Sequence, residues 1–312
     1  MEIWFLLFAV CVIVVIMAGV EHGVEKGSKI MMPILVILAI FVAIYSVTRP
    51  GAMEGVKYFL LPDFKNFSWM TVVAAMGQMF YSLSIAMGIL YTYGSYIGKD
   101  VDIEQSTRQV EVFDTGIAML AGLMIIPAVF AFSGGAPETL QAGPSLMFIT
   151  IPKVFASMGM GTVAGVMFFL MVFFAALTSA ISLMETSVST ITDQFGINRK
   201  ASILLMGVVL IVLGSGSALG FNVLDFIKPF GMSILDFFDF LTNSVMMPLA
   251  ALATCILVLR VVGVKKIAEE VEISSSFKRK KMYNFFLKYL APVFLVIILL
   301  SSIANVMGWI SL

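Results

Sequence analysis

Histidine is almost missing from this chain, and charge is scarce. His22 is the one histidine in 312 residues, and Asp, Glu, Lys and Arg together make up 12%, about half the share of an ordinary soluble domain. A lone histidine excludes a histidine-built metal cluster and leaves serine nucleophiles without their usual base. Acidic and basic residues balance at 19 each, so no basic surface is offered to nucleic acid. Cys11 and Cys255 both lie in apolar runs and are expected as buried packing residues rather than a disulfide or metal ligands. The start Met1-Glu2 lacks the basic opening and small-residue cleavage pattern of a secretory signal. What the chain has in abundance is apolar: 60% hydrophobic residues and a mean hydropathy of +1.05. This is the composition of an all-α integral membrane protein.

Apolar windows of about 20 residues predict eight spans, over 3–20, 30–48, 70–97, 112–132, 160–193, 201–219, 233–261 and 284–306, in a single transmembrane domain 1–312. Lysine and arginine in the connections set the orientation. One set of loops holds Lys26, Lys29, Lys99, Arg108, Arg199, Lys200, Arg260 and seven further residues from Lys265 to Lys288; the other holds only Arg49, Lys57, Lys65, Lys153 and Lys228. The first set is therefore read as cytoplasmic, which places both termini outside and suggests an odd number of helices before Met1. The connection 262–283 reads as a solvated loop. In the first connection, Ser28 is a candidate cap for a helix carrying Pro33, with a locally unwindable end as the alternative.

The stretch Gly77-Gln-Met-Phe-Tyr-Ser-Leu-Ser-Ile-Ala-Met-Gly88 stands out within the third span. Its flanks 69–75 and 89–97 read as helix, while the centre mixes polar and small residues. Two readings stay open. The backbone is opened there, which lipid tolerates only around a protein-lined or wet cavity, or the helix is continuous and its small residues meet a neighbour. Asp114, close to the bilayer core, is a functional acid or an interface residue. In Phe173-Phe-Ala-Ala-Leu-Thr-Ser-Ala-Ile-Ser-Leu-Met-Glu185, the residues Ala175, Thr178 and Ser179 share one helix face. They form an oxygen cluster for a hard monovalent cation, or hydroxyls bonded back to the preceding turn. Glu185 continues that face as a structural acceptor, Asp193 caps the end of the helix, and Leu235-Asp-Phe-Phe-Asp239 supplies interface acids or a gate. Ile149 to Met158 reads as a short amphipathic stretch.

Taken in order, Gly-Gln-x-Phe-Tyr-Ser-Leu-Ser from Gly77, Tyr93-Gly-Ser-Tyr96, the Gly23 to Pro33 spacing, Asp114-Thr115, Gly143-Pro144, Pro152-Lys153-Val154-Phe155 and Phe-Phe-Ala-Ala-Leu-Thr-Ser from Phe173 resemble the neurotransmitter:sodium symporter family. That family has the LeuT-type helix bundle, in which broken helices carry midplane sites. The resemblance covers essentially the whole chain and implies the eleven-helix bacterial form, with these eight spans as the family's fourth to eleventh helices and the first three absent.

The resemblance further implies that Ser82 and Asp114 ligate a first sodium ion, and that Ala175 through its carbonyl, Thr178 and Ser179 ligate a second. Both sites would be incomplete without the family's first helix. Tyr81, Ser82, Ser84, Met87, Ser179 and Leu183 would line the substrate pocket, Gln78 and Asp239 would belong to the outer gate, and Tyr96 and Asp193 to the inner gate. Chloride-dependent members place a hydroxyl where this chain has Ala118, so chloride is expected to be dispensable, with Asp114 supplying the fixed charge. The implied function is a sodium-coupled symporter of hydrophobic or aromatic amino acids working by alternating access in the cell (inner) membrane, not an enzyme, with a homodimer as a candidate assembly. The alternatives are a fragment that does not transport by itself and a proton-coupled relative.

Overall fold

The computed structural model describes residues 2–65, 67–134, 146–157 and 161–307. Gly135 to Gly143-Pro144, in the connection between the predicted fourth and fifth spans, lie outside the described residues. Among the described residues every regular element is helical. In chain order these are α1 (Glu2–Met17), α2 (Lys26–Val47), α3 (Ala52–Leu60), α4 (Trp69–Ser82), α5 (Ile89–Tyr96), α6 (Ile103–Ser133), α7 (Ile151–Ala156) and α8 (Gly161–Phe195). They continue with α9 (Arg199–Leu219), α10 (Ile234–Asp239), α11 (Met247–Ile256), α12 (Val264–Val271), α13 (Lys280–Phe285) and α14 (Ala291–Val306). One-turn π-helical segments join several of them, at Val20–Glu25 ahead of α2, Phe240–Met246 between α10 and α11, Leu257–Val262 after α11 and Phe286–Leu290 between α13 and α14.

Counted through those joints, six continuous helices among the described residues are long and apolar enough to cross a membrane: His22–Val47, Ile103–Ser133, Gly161–Phe195, Arg199–Leu219, Ile234–Val262 and Lys280–Val306. Glu2–Met17 is apolar but shorter, and α4 and α5 are the two halves of a broken segment.

Helix ends follow local chemistry. Ser68 caps α4 by accepting from the Thr71 N–H, while Thr71 Oγ1 accepts from the Ser68 N–H. Ser233 does the same for α10, accepting from the Asp236 N–H at 3.1 Å and donating to its carboxylate at 2.7 Å, so Asp236 is a capping acid. The Asp102 carboxyl, just ahead of α6, is held below its ordinary value chiefly by the Gln105 N–H at 2.9 Å. Its contribution is present at neutral pH and fades as pH falls through the lowered value. Ser28, by contrast, caps nothing. Helix α2 grows out of the preceding π-turn, its N-cap position is Glu25, and Pro33 sits inside the helix. A proline at this depth removes the backbone bond that residue 33 would otherwise donate to the Lys29 carbonyl, yet the helix runs on through it to Val47.

The chain forms two compact units. The first comprises residues 1–17, 68–111 and 181–312. Within it α1 lies along α9, and Ser215 on α9 donates to the Glu2 carboxylate. The approach is close enough that a Cβ on Gly214 would meet the Phe5 ring at 2.1 Å, the small-residue packing that holds helices together where lipid offers no hydrophobic drive. A second cluster joins Phe80 of α4 to Met247, Ala251 and Cys255 of α11 and Leu295 of α14. Cys255 is buried there, but Cys11 is exposed, against the sequence expectation. In a membrane helix an apolar neighbourhood in sequence serves a lipid-facing side as well as a packed one.

The stretch 262–283 also departs from a plain solvated loop. It contains α12, which buries Ala268 and Val271, and it is pinned by ion pairs. Arg279 reaches Glu111 at 3.2 Å and Glu104 at 3.9 Å, and Lys280 reaches Glu272 at 2.7 Å.

The second unit comprises residues 18–67 and 112–180. Its core interleaves Leu38, Ala39 and Val42 of α2, Met124, Ala128 and Val129 of α6, Ile151, Val154 and Phe155 of α7, and Ala164, Phe168 and Met171 of α8. The amphipathic stretch read from the sequence is thus α7 with its π-helical lead-in Leu146–Thr150, and it is a core element. Helix α3 lies against α6 with Gly55 at the crossing: a Cβ there would come within 2.9 Å of both Phe130 Cβ and Pro127 Cα.

Replacing Gly55 with leucine therefore forces backbone apart and is expected to cost about 1–3 kcal/mol, whereas Gly77, inside α4 with open space around it, gains about 0.5–1 kcal/mol as alanine. Thermal melting of the two variants in the same detergent checks this: Gly55→Leu should melt lower than the parent and Gly77→Ala at or above it.

Candidate functional site

The break between α4 and α5 is built by backbone that a right-handed helix does not contain. Ser84, Ala86 and Gly88 have φ of 55°, 62° and 81°. The left-handed region is open to glycine but costs other residues about 1–2 kcal/mol each, and such strain concentrates at binding and switching segments. The freed ends are partly closed locally: the Leu83 N–H bonds the Met79 carbonyl at 3.0 Å, Ser84 bonds Tyr81 at 3.0 Å and Ile85 bonds Phe80 at 3.2 Å, and α5 restarts with Thr92 on Gly88 at 3.0 Å. Gly88 has a second reason to be glycine, because a Cβ would stand 2.8 Å from the Thr186 methyl on α8. Ile85, Ala86 and Met87 pack on the Phe80, Met247 and Leu295 cluster, which holds the opened turn in place.

The opening is narrower than the sequence predicts. Helix α4 continues through Gly77 and Gln78 to Ser82, so Gln78, Tyr81 and Ser82 are its last turns, while Ser84 and Met87 lie in the break itself. Gln78 and Tyr81 are exposed; Ser82, Ser84 and Met87 are half-buried. Leu183 on α8 is exposed.

On the α8 portion within the second unit, Thr178 is buried, and its hydroxyl donates to the Phe174 carbonyl at 2.9 Å and the Ala175 carbonyl at 3.1 Å. The back-bonded alternative is thus observed, and it brings two of the three predicted oxygens together: the Ala175 carbonyl and Thr178 Oγ1 are neighbours. A hydroxyl that donates its proton keeps lone pairs for a cation, and two neutral oxygens side by side match what a hard cation takes. Ser179 is exposed and Ala175 half-buried. Asp114, half-buried on α6, belongs to this second unit, while Ser82 belongs to the first. Among the described residues no three His, Cys, Asp or Glu are grouped to hold a metal.

Glu185, one turn past Ser182 on α8, is the feature the sequence understates. Its side chain is fully buried, and Arg199 grips it with two bonds, Nη1 to Oε1 at 2.8 Å and Nη2 to Oε2 at 2.6 Å. The Tyr96 hydroxyl donates to the same Oε1 at 2.8 Å. Tyr93 and Ser182 share a hydroxyl bond at 2.7 Å beside it. One carboxylate thereby ties α5, α8 and α9 together, and Arg199 Nη2 reaches on to the Ile16 carbonyl of α1 at 3.4 Å. Tyr96 is thus joined to Glu185, whereas its proposed gate companion Asp193 is exposed near the end of α8. Asp239 is exposed as well and accepts from Asn243 at 2.5 Å. A buried bidentate pair flanked by a tyrosine is costly to break, and Arg199 carried no signal in the sequence beyond its place in a basic loop.

With this geometry in view, the comparisons with known proteins converge. The family model described as "Sodium:neurotransmitter symporter family" matches residues 1–309. The sodium-dependent transporter YhdH of Bacillus subtilis is 33% identical over 300 residues, covering 96% of this chain and 66% of that protein. The sodium-dependent nutrient amino acid transporter 1 of Drosophila yakuba is 26% identical, covering 95% of this chain and 46% of its own. The crystal structure of MhsT in complex with L-phenylalanine matches with a TM-score of 0.83 and 35% identity, over 96% of this chain and 68% of that one. The chain therefore spans about two thirds or less of the length of these relatives, and its fold is the LeuT-type helical bundle. A strained break in an apolar segment, paired oxygens on α8 and a family match along nearly its whole length have one explanation: the chain belongs to the sodium:neurotransmitter symporter family, a family of transporters and not of enzymes.

Proposed function

We propose that this chain carries the substrate- and ion-handling part of a sodium-coupled amino-acid symporter of the cell membrane, its two units forming one transport domain of eight spans. The observation that carries the reading is the opened turn at Leu83–Gly88, with left-handed Ser84 and Ala86 in a segment that family members hold within the bilayer. Exposed peptide groups at that depth need polar company. An amino acid's carboxylate and a bare Na⁺ supply it, each lending the other opposite charge, so each raises the other's affinity by the same factor.

In this reading Ser82 and Asp114 serve one ion, and Ala175, Thr178 and Ser179 a second. Tyr81, Ser84, Met87 and Leu183 line an apolar and aromatic pocket suited to a hydrophobic or aromatic amino acid; the phenylalanine bound to MhsT supports that class. Asp114 provides the fixed negative charge that makes chloride dispensable, since Ala118 one turn on offers no hydroxyl. Gln78 and Asp239 close the outer side. On the inner side Tyr96 acts through Glu185 and Arg199, with Asp193 further along α8. Alternation of access then means making and breaking that carboxylate cluster while the site stays put.

Phenylalanine accumulation in proteoliposomes is expected to need an inward Na⁺ gradient and to persist when chloride is replaced by gluconate. Accumulation that follows a pH gradient in sodium-free medium would reject the sodium reading in favour of a proton-coupled one. Measuring sodium-dependent phenylalanine binding by these 312 residues alone separates a self-sufficient site from one that further chain completes.

Thr178→Val keeps the shape of the side chain and removes one oxygen. It should raise the Na⁺ concentration for half-maximal uptake about tenfold or more, equivalent to about 1.4 kcal/mol of ion binding, with a smaller effect at saturating Na⁺. For Arg199→Ala we expect a loss of about 3–5 kcal/mol of stability from the uncompensated buried Glu185, and the double variant Arg199→Leu with Glu185→Leu should recover much of it in thermal melting while remaining impaired in transport.

A further inference from the structure

The last acidic residue of the chain is Glu272, yet Lys278, Arg279, Lys280, Lys281 and Lys288 follow it, four of them at or just before the start of the membrane-spanning helix Lys280–Val306 and Lys288 two turns into it. An excess of lysine and arginine on one side of a membrane is ordinary; what these five do with their charge is not uniform. Arg279 and Lys280 are used internally, on Glu104, Glu111 and Glu272. Lys278 is fixed through its backbone, whose N–H donates to the Glu104 carboxylate at 2.7 Å, while its side chain is exposed. Lys281 and Lys288 are exposed too, and among the described residues neither makes an ion pair, while the Lys278 charge acts on the Asp102 carboxyl without an ion pair within 4.0 Å.

The three do not stand on a polar surface. Lys281 and Lys288 are seven residues apart, two turns along one helix face, and Phe285 and Tyr289 share that face. Those rings lie 5.7 Å apart and are 54% exposed each, and the Lys288 ammonium sits 5.2 Å over the Tyr289 ring. An ammonium over an exposed aromatic ring, with two further exposed ammonium groups toward the start of the same membrane-spanning helix, fits a molecule that is anionic at its head and apolar below it. Clusters of this kind next to a span are attracted to anionic lipid, at about a fivefold gain in affinity per cation.

We propose that Lys278, Lys281 and Lys288, with Phe285 and Tyr289, form a binding face for anionic phospholipid, the phosphate held by the ammonium groups and the acyl chains laid along the rings. The Arg279 and Lys280 ion pairs serve it by fixing the backbone that presents the free lysines. The face needs only that Lys280–Val306 spans the membrane; it does not use the transport reading, and its test measures lipid alone.

The test uses the full 312-residue chain in neutral-detergent micelles and follows the fluorescence anisotropy of a labelled phosphatidylglycerol. Unlabelled phosphatidylglycerol should displace the probe, while phosphatidylcholine of the same acyl chains and millimolar inorganic phosphate should not, and raising the salt should weaken binding. The triple variant Lys278→Gln, Lys281→Gln, Lys288→Gln should bind about tenfold or more weakly; the corresponding triple arginine variant should bind like the parent; and Lys57→Gln with Lys65→Gln should change nothing. Should the triple glutamine variant lose its thermal transition, the single variant Lys281→Gln is read instead, with a loss of about fivefold expected. Equal displacement by phosphatidylcholine, displacement by phosphate, or unchanged binding in the glutamine variants would overturn the proposal.

Discussion

Inside a bilayer, a peptide group that loses its helical partner has no water to replace it. That constraint decides what this chain can afford. Long stretches obey it by staying helical, even through Pro33 and through the π-turns that precede α2 and follow α10 and α11. In the proposed reading, the stretch Leu83–Gly88 disobeys it, and the residues packed on it hold the exception. Phe80 anchors the helix before the gap, Met247 and Leu295 receive the opened turn, and Gly88 leaves room for the Thr186 methyl. A strained segment retained in this way is maintained by its surroundings rather than by its own preferences.

The second exception to membrane habit is Glu185. A fully buried carboxylate gains nothing for stability by itself, and replacing such a pair with apolar side chains of similar size is often neutral or better. Its use is specificity of arrangement: with Arg199 on one side and Tyr96 on the other, α5, α8 and α9 meet in a single register. Because Tyr93 and Ser182 bond alongside, α5 is fixed to α8 at two points of its short length. The half-helix after the break is thus held at both of its ends, by the glycine turn at the start and by hydroxyls at the finish.

Much of this could be read from the residues, and the gaps have physical causes. The long apolar helices announce themselves by composition, and the mixture of polar and small residues marked the segment that breaks. The position of the break did not follow, because Gly77 looks like a better breaker than Ser84 or Ala86. Burial of Phe80 carries the helix past Gly77, and no rule of propensity flags a serine or an alanine that tertiary packing forces into left-handed backbone. Thr178 and Ala175 were legible as a shared face because helical spacing is local. Glu185 with Arg199, and Glu104 and Glu111 with Arg279, were not: those pairs join residues on separate helices, the latter about 170 positions apart, and charge patterning along one helix says nothing of its neighbours. Cys11 failed for another reason. Inward and outward faces of a membrane helix have similar chemistry, so an apolar context does not predict burial.

That last point has a practical consequence. With one thiol facing outward from an apolar helix and the other packed against Phe80 and Leu295, neither cysteine is presented among polar residues where a water-soluble maleimide works readily. The chain therefore offers a quiet background for spin labels or fluorophores introduced on either side of the opened turn, and distances between such reporters could follow how that turn moves.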